Sequence, residues 1–197
     1  MTAPTRSAPA LATVHAFLPS TPLDTVDGPR RVDALRCGMR LRGRTGWVAL
    51  AEVAVVRPSA AACTARPALR AFTLDPDALA PGLPAAPVQV AAGTPFLLDL
   101  GGGETVTLRG LDLARAGVGR LGPAHRPVPL RRLRLERADA VLAGGVWVAA
   151  APLPDPPPLP RDRIAGLDAE AIGRGLRRAN AAAVLRGLCA APGPVAA

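Results

Sequence analysis

The chain has 197 residues, of which 49% are hydrophobic, and its formal net charge is +9 at pH 7. This length and apolar content bury a substantial core, which excludes a wholly disordered protein. All 24 Lys and Arg positions are arginine, which is typical of a GC-rich genome. With three Phe, two Trp and no Tyr, few side chains are available to stack on bases, so the charge does not predict a nucleic-acid partner.

Three cysteines, Cys37, Cys63 and Cys189, are spread widely along the chain. They form no CxxC pair and the chain has only two histidines, so no metal or cofactor is expected. We expect buried free thiols, which fit a reducing compartment. The first residues lack the apolar core of a signal peptide, and no apolar run approaches the ~18 residues of a membrane span. These features predict a cytoplasmic protein without a membrane partner.

Residues 1–12 are rich in Ala, Pro, Thr and Ser and predict a disordered N-terminal tail. Residues 13–150 consist of short apolar segments separated by Gly and Pro, which predicts an all-β domain of short, mainly antiparallel strands. The Ser, Ala, Cys and Thr-rich stretch around Cys63 is predicted to be a loop. Strands are expected at residues 47–56, 71–74, 88–90, 96–100, 104–108, 133–136, 140–142 and 146–148.

Three segments depart from this pattern of short strands. The glycines at 101–103 predict a turn between two strands, because a phosphate loop would need a helix after it. Residues 151–161 predict a Pro-rich linker. Residues 162–197 predict a C-terminal helical segment and tail, since apolar residues recur there near helical spacing. We expect the helical segment to pack on the β domain.

A basic cluster lies near the end of the predicted β domain. On a strand, Leu133 and Leu135 would point inward, and Arg132, Arg134 and Glu136 would point outward. A solvated sheet face is the simpler interpretation, and a surface for an acidic partner is the alternative. The four arginines of the cluster are Arg131, Arg132, Arg134 and Arg137.

The segment 16–47 contains a Phe17-Leu18-Pro19-Ser20-Thr21 run, an Asp27-Gly28 turn and a Cys37-Gly38-Met39-Arg40-Leu41 piece. This layout resembles the start of bacterial Hint (Hedgehog/intein) domains. Residues 72–98 and 133–145 resemble two later blocks of that family, in the same order. The resemblance covers residues 14–150 and implies a compact β fold with pseudo-twofold character.

The resemblance also implies which residues stand at the family's reactive positions. In that family a Cys or Ser attacks the carbonyl of the preceding residue, and a histidine in the middle block polarises the amide. Here the nucleophile position holds Ala16, the middle histidine position Thr94 and the late histidine position Ala138. The prediction is a degenerate Hint domain without catalytic residues or self-processing activity, retained as a scaffold or interaction module.

Two alternatives remain open from the sequence. One is self-cleavage by a shifted nucleophile, Ser20, with His15 as the base. The simpler interpretation places Ser20 in a turn and His15 at a strand edge. The other alternative is an Arg-rich module that binds an acidic protein partner. The sequence names no particular partner and no oligomeric state.

Overall fold

A computed structural model describes residues 14–99 and 105–153 of the chain. This part contains twelve strands, and all of their pairings are antiparallel. The predicted all-β fold is therefore confirmed. The strands are β1 (Pro22–Thr25), β2 (Gly28–Arg31), β3 (Arg40–Gly43), β4 (Gly46–Val56), β5 (Ala71–Leu74), β6 (Val88–Ala91), β7 (Pro95–Asp99), β8 (Thr105–Arg109), β9 (Arg120–Leu121), β10 (Leu130–Leu135), β11 (Ala140–Ala143) and β12 (Val146–Ala149).

Short helical elements interrupt the strands at α1 (Ala60–Ala65), α2 (Gly110–Arg115) and two 3-10 turns, Val32–Ala34 and Pro67–Leu69. The loop predicted around Cys63 is wrong, because α1 forms there. The Ser59 hydroxyl accepts a hydrogen bond from the Ala62 N–H at 3.1 Å and caps the helix. Six residues are too few for helical periodicity to show in a sequence.

The cysteines do not share one environment. Cys63 is buried in α1, as expected. The expectation of a buried thiol is wrong for Cys37, which is exposed. The reason is local: Cys37 lies in the turn before β3, where Gly38 adopts a φ of +86°. Cys189 lies outside the described residues.

Two sheets build the domain. The larger one runs β10-β4-β3-β11-β12-β7-β8, and the β1–β2 hairpin joins it through β1 and β3. The smaller one has the order β6-β5-β9. The eleven-residue β4 pairs with β3 through its first half and with β10 through its second half. It therefore connects the edge strand β10 to the rest of the larger sheet.

Aliphatic side chains and the three phenylalanines fill the interior. Phe17, Phe72 and Phe96 are all fully buried, and the last two meet edge to face with ring centroids 5.8 Å apart. Leu133 and Leu135 are buried, whereas Arg132, Arg134 and Glu136 are exposed. The inward and outward alternation predicted for this strand is confirmed.

Several predictions fall on residues outside the described ranges. These are the tail at 1–12, the turn at 101–103, most of the linker at 151–161 and the helical segment at 162–197. The described helices are all too short or too polar to cross a bilayer. The domain boundaries and the cytoplasmic location stay predictions.

Candidate functional site

Backbone hydrogen bonds hold residues 16–18 between β6 and β10. Phe17 and Arg131 exchange both of their backbone hydrogen bonds, with N···O distances of 2.8 and 2.7 Å. From the opposite side, the Ala91 N–H of β6 donates to the Ala16 carbonyl oxygen at 2.8 Å. The peptide unit at Ala16 is therefore fixed by strands from both sheets.

Thr94 binds this same peptide segment through its side chain. Its hydroxyl oxygen accepts a hydrogen bond from the Ala16 N–H at 3.1 Å. The hydroxyl also lies 2.7 Å from the Val14 carbonyl oxygen and 3.0 Å from that of Ala16, and it donates to this pair. Ala16 and Thr94 are both buried, with 1% and 0% of their surface exposed. Two positions 78 residues apart thus meet, as the family resemblance implies.

The chemistry at this contact differs from what the resemblance would require. The nitrogen that Thr94 contacts belongs to the peptide bond between His15 and Ala16, which is the bond that a Hint reaction would break. A methyl group at Ala16 has no lone pair with which to attack the carbonyl. A threonine hydroxyl does not titrate near neutral pH, so it cannot protonate the leaving nitrogen as an imidazolium would.

The third position, Ala138, lines an open cleft of about 620 Å³ together with Ala16. The β4–β10 ladder contributes to this cleft, with Arg132 opposite Ala54 and Arg134 opposite Glu52. The cleft therefore joins the buried position at residue 16 to an exposed, charged part of the sheet.

Asp139, next to Ala138, has a structural role. Its carboxylate is buried and accepts backbone hydrogen bonds from Ala140 at 2.8 Å and Arg44 at 3.2 Å. Gly43 packs against it so closely that a β-carbon there would overlap the carboxylate. These contacts fix the β3–β4 turn against β11.

His15 lies in the cleft and is held by one backbone group. Its Nδ1 is 3.1 Å from the Ala149 carbonyl oxygen, which only accepts, so the hydrogen bond requires a proton on Nδ1. Burial lowers the pKa of His15, and the charge of Arg132 lowers it further, against the opposing effect of the Ala149 hydrogen bond. The imidazole is therefore neutral at pH 7, with Nε2 as an acceptor.

The structure does not join Ser20 to His15. Ser20 is exposed and its hydroxyl donates to the Gln89 side-chain oxygen, whereas His15 bonds to Ala149. Ser20 is also outside the residues that line the cleft. In the described part of the chain, the two members of this predicted pair have separate partners.

The four predicted binding arginines have different surroundings. Arg132 and Arg134 line the cleft, and Arg134 pairs with Glu52 at 2.9 Å. Arg137 lies 3.8 Å from the Asp139 carboxylate. Arg131 is half-buried outside the cleft, and its Nη1 has no hydrogen-bond partner among the described residues.

The sequence analysis missed two charged residues of the cleft, Glu52 and Arg66. Neither belongs to a motif, since Glu52 lies within an apolar strand and Arg66 follows α1. The cross-strand register alone pairs Glu52 with Arg134. Within the described ranges, no cluster of three or more His, Cys, Asp and Glu side chains could hold a metal ion.

The comparisons with known proteins agree with the resemblance read from the motifs. A family model described as "Hint domain" matches residues 15–151. The chain therefore belongs to the Hint domain family. No curated protein sequence matches it significantly.

Three solved structures are similar to this one. A variant of the MchDnaB-1 intein is 16% identical with a TM-score of 0.45, over 69% of this chain and 100% of that chain. An intein-like domain from Clostridium thermocellum is 11% identical with a TM-score of 0.45, over 69% and 98%. A splice-inactive variant of the AceL NrdHF class 3 split intein is 8% identical with a TM-score of 0.40, over 71% and 100%.

Proposed function

We propose that this Hint domain does not cleave or splice itself and that its fold is retained as a scaffold for interaction with another molecule. The observation that carries the proposal is the buried contact between Ala16 and Thr94. The resemblance aligns these two residues with the family's nucleophile and middle histidine, and they contribute only an inert methyl and an alcohol to the buried contact.

The first step of the family reaction needs a nucleophile with a lone pair at position 16, and the Ala16 methyl group has none. In that step a sulfur or oxygen would bond to the His15 carbonyl carbon, and the His15–Ala16 C–N bond would break. The leaving nitrogen would then take up a proton. Ala16 supplies no such atom, and Thr94 already uses its hydroxyl as an acceptor for that N–H.

Thr94 instead stabilises the uncleaved chain. A buried peptide N–H without a partner costs about 1–3 kcal/mol, so the hydroxyl contributes to folding where a histidine would contribute to catalysis. On this proposal, the residue at position 94 supports the fold of the intact chain rather than a reaction.

The experiment is to follow the intact mass of purified full-length protein for a day, with and without a strong thiol or hydroxylamine. Both reagents trap an ester or thioester. We expect one constant mass in every sample, apart from removal of Met1. Reagent-dependent loss of residues 1–15 would contradict the proposal, and loss of residues 1–19 would assign the reaction to Ser20.

A Ser20→Ala variant is the matched control for that second outcome. Ser20 is exposed and its hydroxyl contacts only Gln89, so the variant keeps the fold. If the wild-type mass changes and the Ser20→Ala mass does not, the shifted-nucleophile alternative is correct.

A further inference from the structure

The cleft beside Ala16 carries uncompensated positive charge. Three arginines line it, Arg66, Arg132 and Arg134, against one carboxylate, Glu52. Glu52 pairs with Arg134 at 2.9 Å. Arg66 and Arg132 are exposed and have no carboxylate partner among the described residues. The cleft therefore favours an anionic occupant.

The same cleft contains an open edge of the sheet. Arg131 directs both of its backbone groups toward Phe17 and therefore away from β4. Because hydrogen-bonded and non-bonded pairs alternate along an antiparallel ladder, Leu133 also directs its N–H and C=O away from β4. The register shift of this ladder follows Arg134, so it leaves Leu133 unaffected.

No described residue pairs with this outward side of Leu133. Phe17 pairs with the strand edge at Arg131. The residues before Phe17 leave this edge, because the Val14 carbonyl oxygen accepts a hydrogen bond from Thr94 instead. Leu133 itself lines the cleft. A strand edge without a hydrogen-bonded neighbour is a template for an additional strand.

We propose that the cleft binds an acidic, extended peptide segment of a partner protein as an added strand along β10. This inference rests on the proposed retention of the fold as an interaction module. Side chains at alternate positions of the added strand lie on the same face as Arg132 and Arg134. The preferred segment thus has carboxylates two residues apart, with aliphatic side chains between them.

The lining favours a peptide over a nucleic acid. Apart from His15, the uncharged side chains of the cleft are aliphatic, including Val14, Val56 and Leu69, and His15 has the one aromatic ring among the described lining residues. Single-stranded nucleic acids bind on aromatic platforms, which this lining does not provide.

The test uses a labelled peptide, Glu-Val-Glu-Val-Glu, acetylated and amidated, and fluorescence anisotropy with the full chain at low salt. We expect saturable binding that weakens steeply as salt is added. Arg132→Glu should raise the Kd at least about tenfold, since an attraction becomes a repulsion. The matched control, Arg126→Glu, reverses an exposed charge outside the cleft and should change the Kd less than about twofold.

A second peptide with the same residues and N-methylated backbone amides separates strand addition from charge attraction alone. It retains both carboxylate spacing and net charge but cannot donate to β10, so we expect it to bind at least about tenfold more weakly. Equal affinity of the two peptides would overturn the added strand. Equal weakening by Arg132→Glu and Arg126→Glu would overturn the cleft as the site.

Three other outcomes also overturn the proposal. They are the absence of binding at millimolar peptide, tighter binding of a single-stranded oligonucleotide of equal charge, and a dimer of the chain that Arg132→Glu dissociates. Intact mass measured on the same samples reports self-cleavage independently. Failure of this inference is thus distinguishable from failure of the proposed function.

Discussion

The buried contact at Ala16 and the exposed arginines of the cleft lie in one continuous region. They differ in whether their polar groups have partners within the protein. At Thr94 one hydroxyl satisfies a buried amide and faces two carbonyl oxygens, and no charge is present. At Arg132 a charged group lies exposed without a carboxylate partner in the described chain. The buried part satisfies its polar groups internally, whereas the exposed part leaves a charge without a carboxylate partner among the described residues.

The backbone of the buried part does not depend on its side chains. Residues 16–18 are held between β6 and β10 by backbone hydrogen bonds, and these do not involve the side chain at 16. We therefore expect substitutions at position 16 to leave this backbone path intact.

The largest effect is expected when a nucleophile and an imidazole are introduced at positions 16 and 94. In the double variant Ala16→Cys with Thr94→His, the sulfur replaces the inert methyl and the imidazole replaces the hydroxyl near the amide nitrogen. We expect thiol-dependent release of residues 1–15, from undetectable to the dominant species within about a day. Intact mass measures it.

The single variant Ala16→Cys is the control for the role of the imidazole and should release much less. Circular dichroism shows whether the larger side chain at buried position 94 is accommodated. A folded double variant that keeps its full mass would show that the geometry of the site has changed as well as its chemistry.

Removing the Thr94 hydroxyl should cost stability. Thr94→Val keeps the shape but leaves the buried Ala16 N–H unpaired, so we expect the free energy of unfolding to fall by about 1–3 kcal/mol. Urea denaturation measures it. The matched control is Thr107→Val, because the Thr107 hydroxyl is buried without a partner among the described residues. The free energy of unfolding of that variant should be unchanged or higher. An equal decrease in both variants would contradict a structural role for the Thr94 hydroxyl.

Protonating His15 should destabilise the fold to an extent that depends on pH. Its pKa is lowered below the ordinary 6.5 by burial and Arg132. Between the folded pKa and 6.5, the unfolded chain binds more protons, so stability rises with pH through that window and levels off above it. Stability is lost as pH falls through the same window.

Urea denaturation of His15→Gln across this pH range should give a flatter profile than the wild type. The matched control is His125→Gln, which alters an exposed turn outside the cleft. Its profile should follow the wild type. A wild-type slope that survives in His15→Gln would assign the pH dependence to other groups.

The smallest effect on stability is expected at the exposed pair of Glu52 and Arg134. Glu52→Gln should change the free energy of unfolding by less than about 1 kcal/mol, because exposed ion pairs contribute little. The same variant frees Arg134 and should tighten binding of the acidic peptide about two- to fivefold. Unchanged affinity with unchanged stability would place the peptide away from Arg134.

Local patterns in the sequence predicted much of the fold. The β-branched run at 47–56 became β4 within one residue, and the Arg and Leu alternation of β10 has the predicted inward and outward faces. The first prediction depends on the preference of β-branched residues for strands and the second on the two-residue period of a strand, and a short segment displays both. The motif order also predicted the Hint family, which the family model confirms.

What the sequence by itself determined is the strand content and the family. These are properties of single segments or of motif order. Only the tertiary structure decided that the Thr94 hydroxyl holds the Ala16 amide, that Glu52 faces Arg134 and that four neighbouring arginines separate into different environments. Each depends on register between distant segments, and a register is set by packing of the whole core rather than by the residues that happen to meet across it.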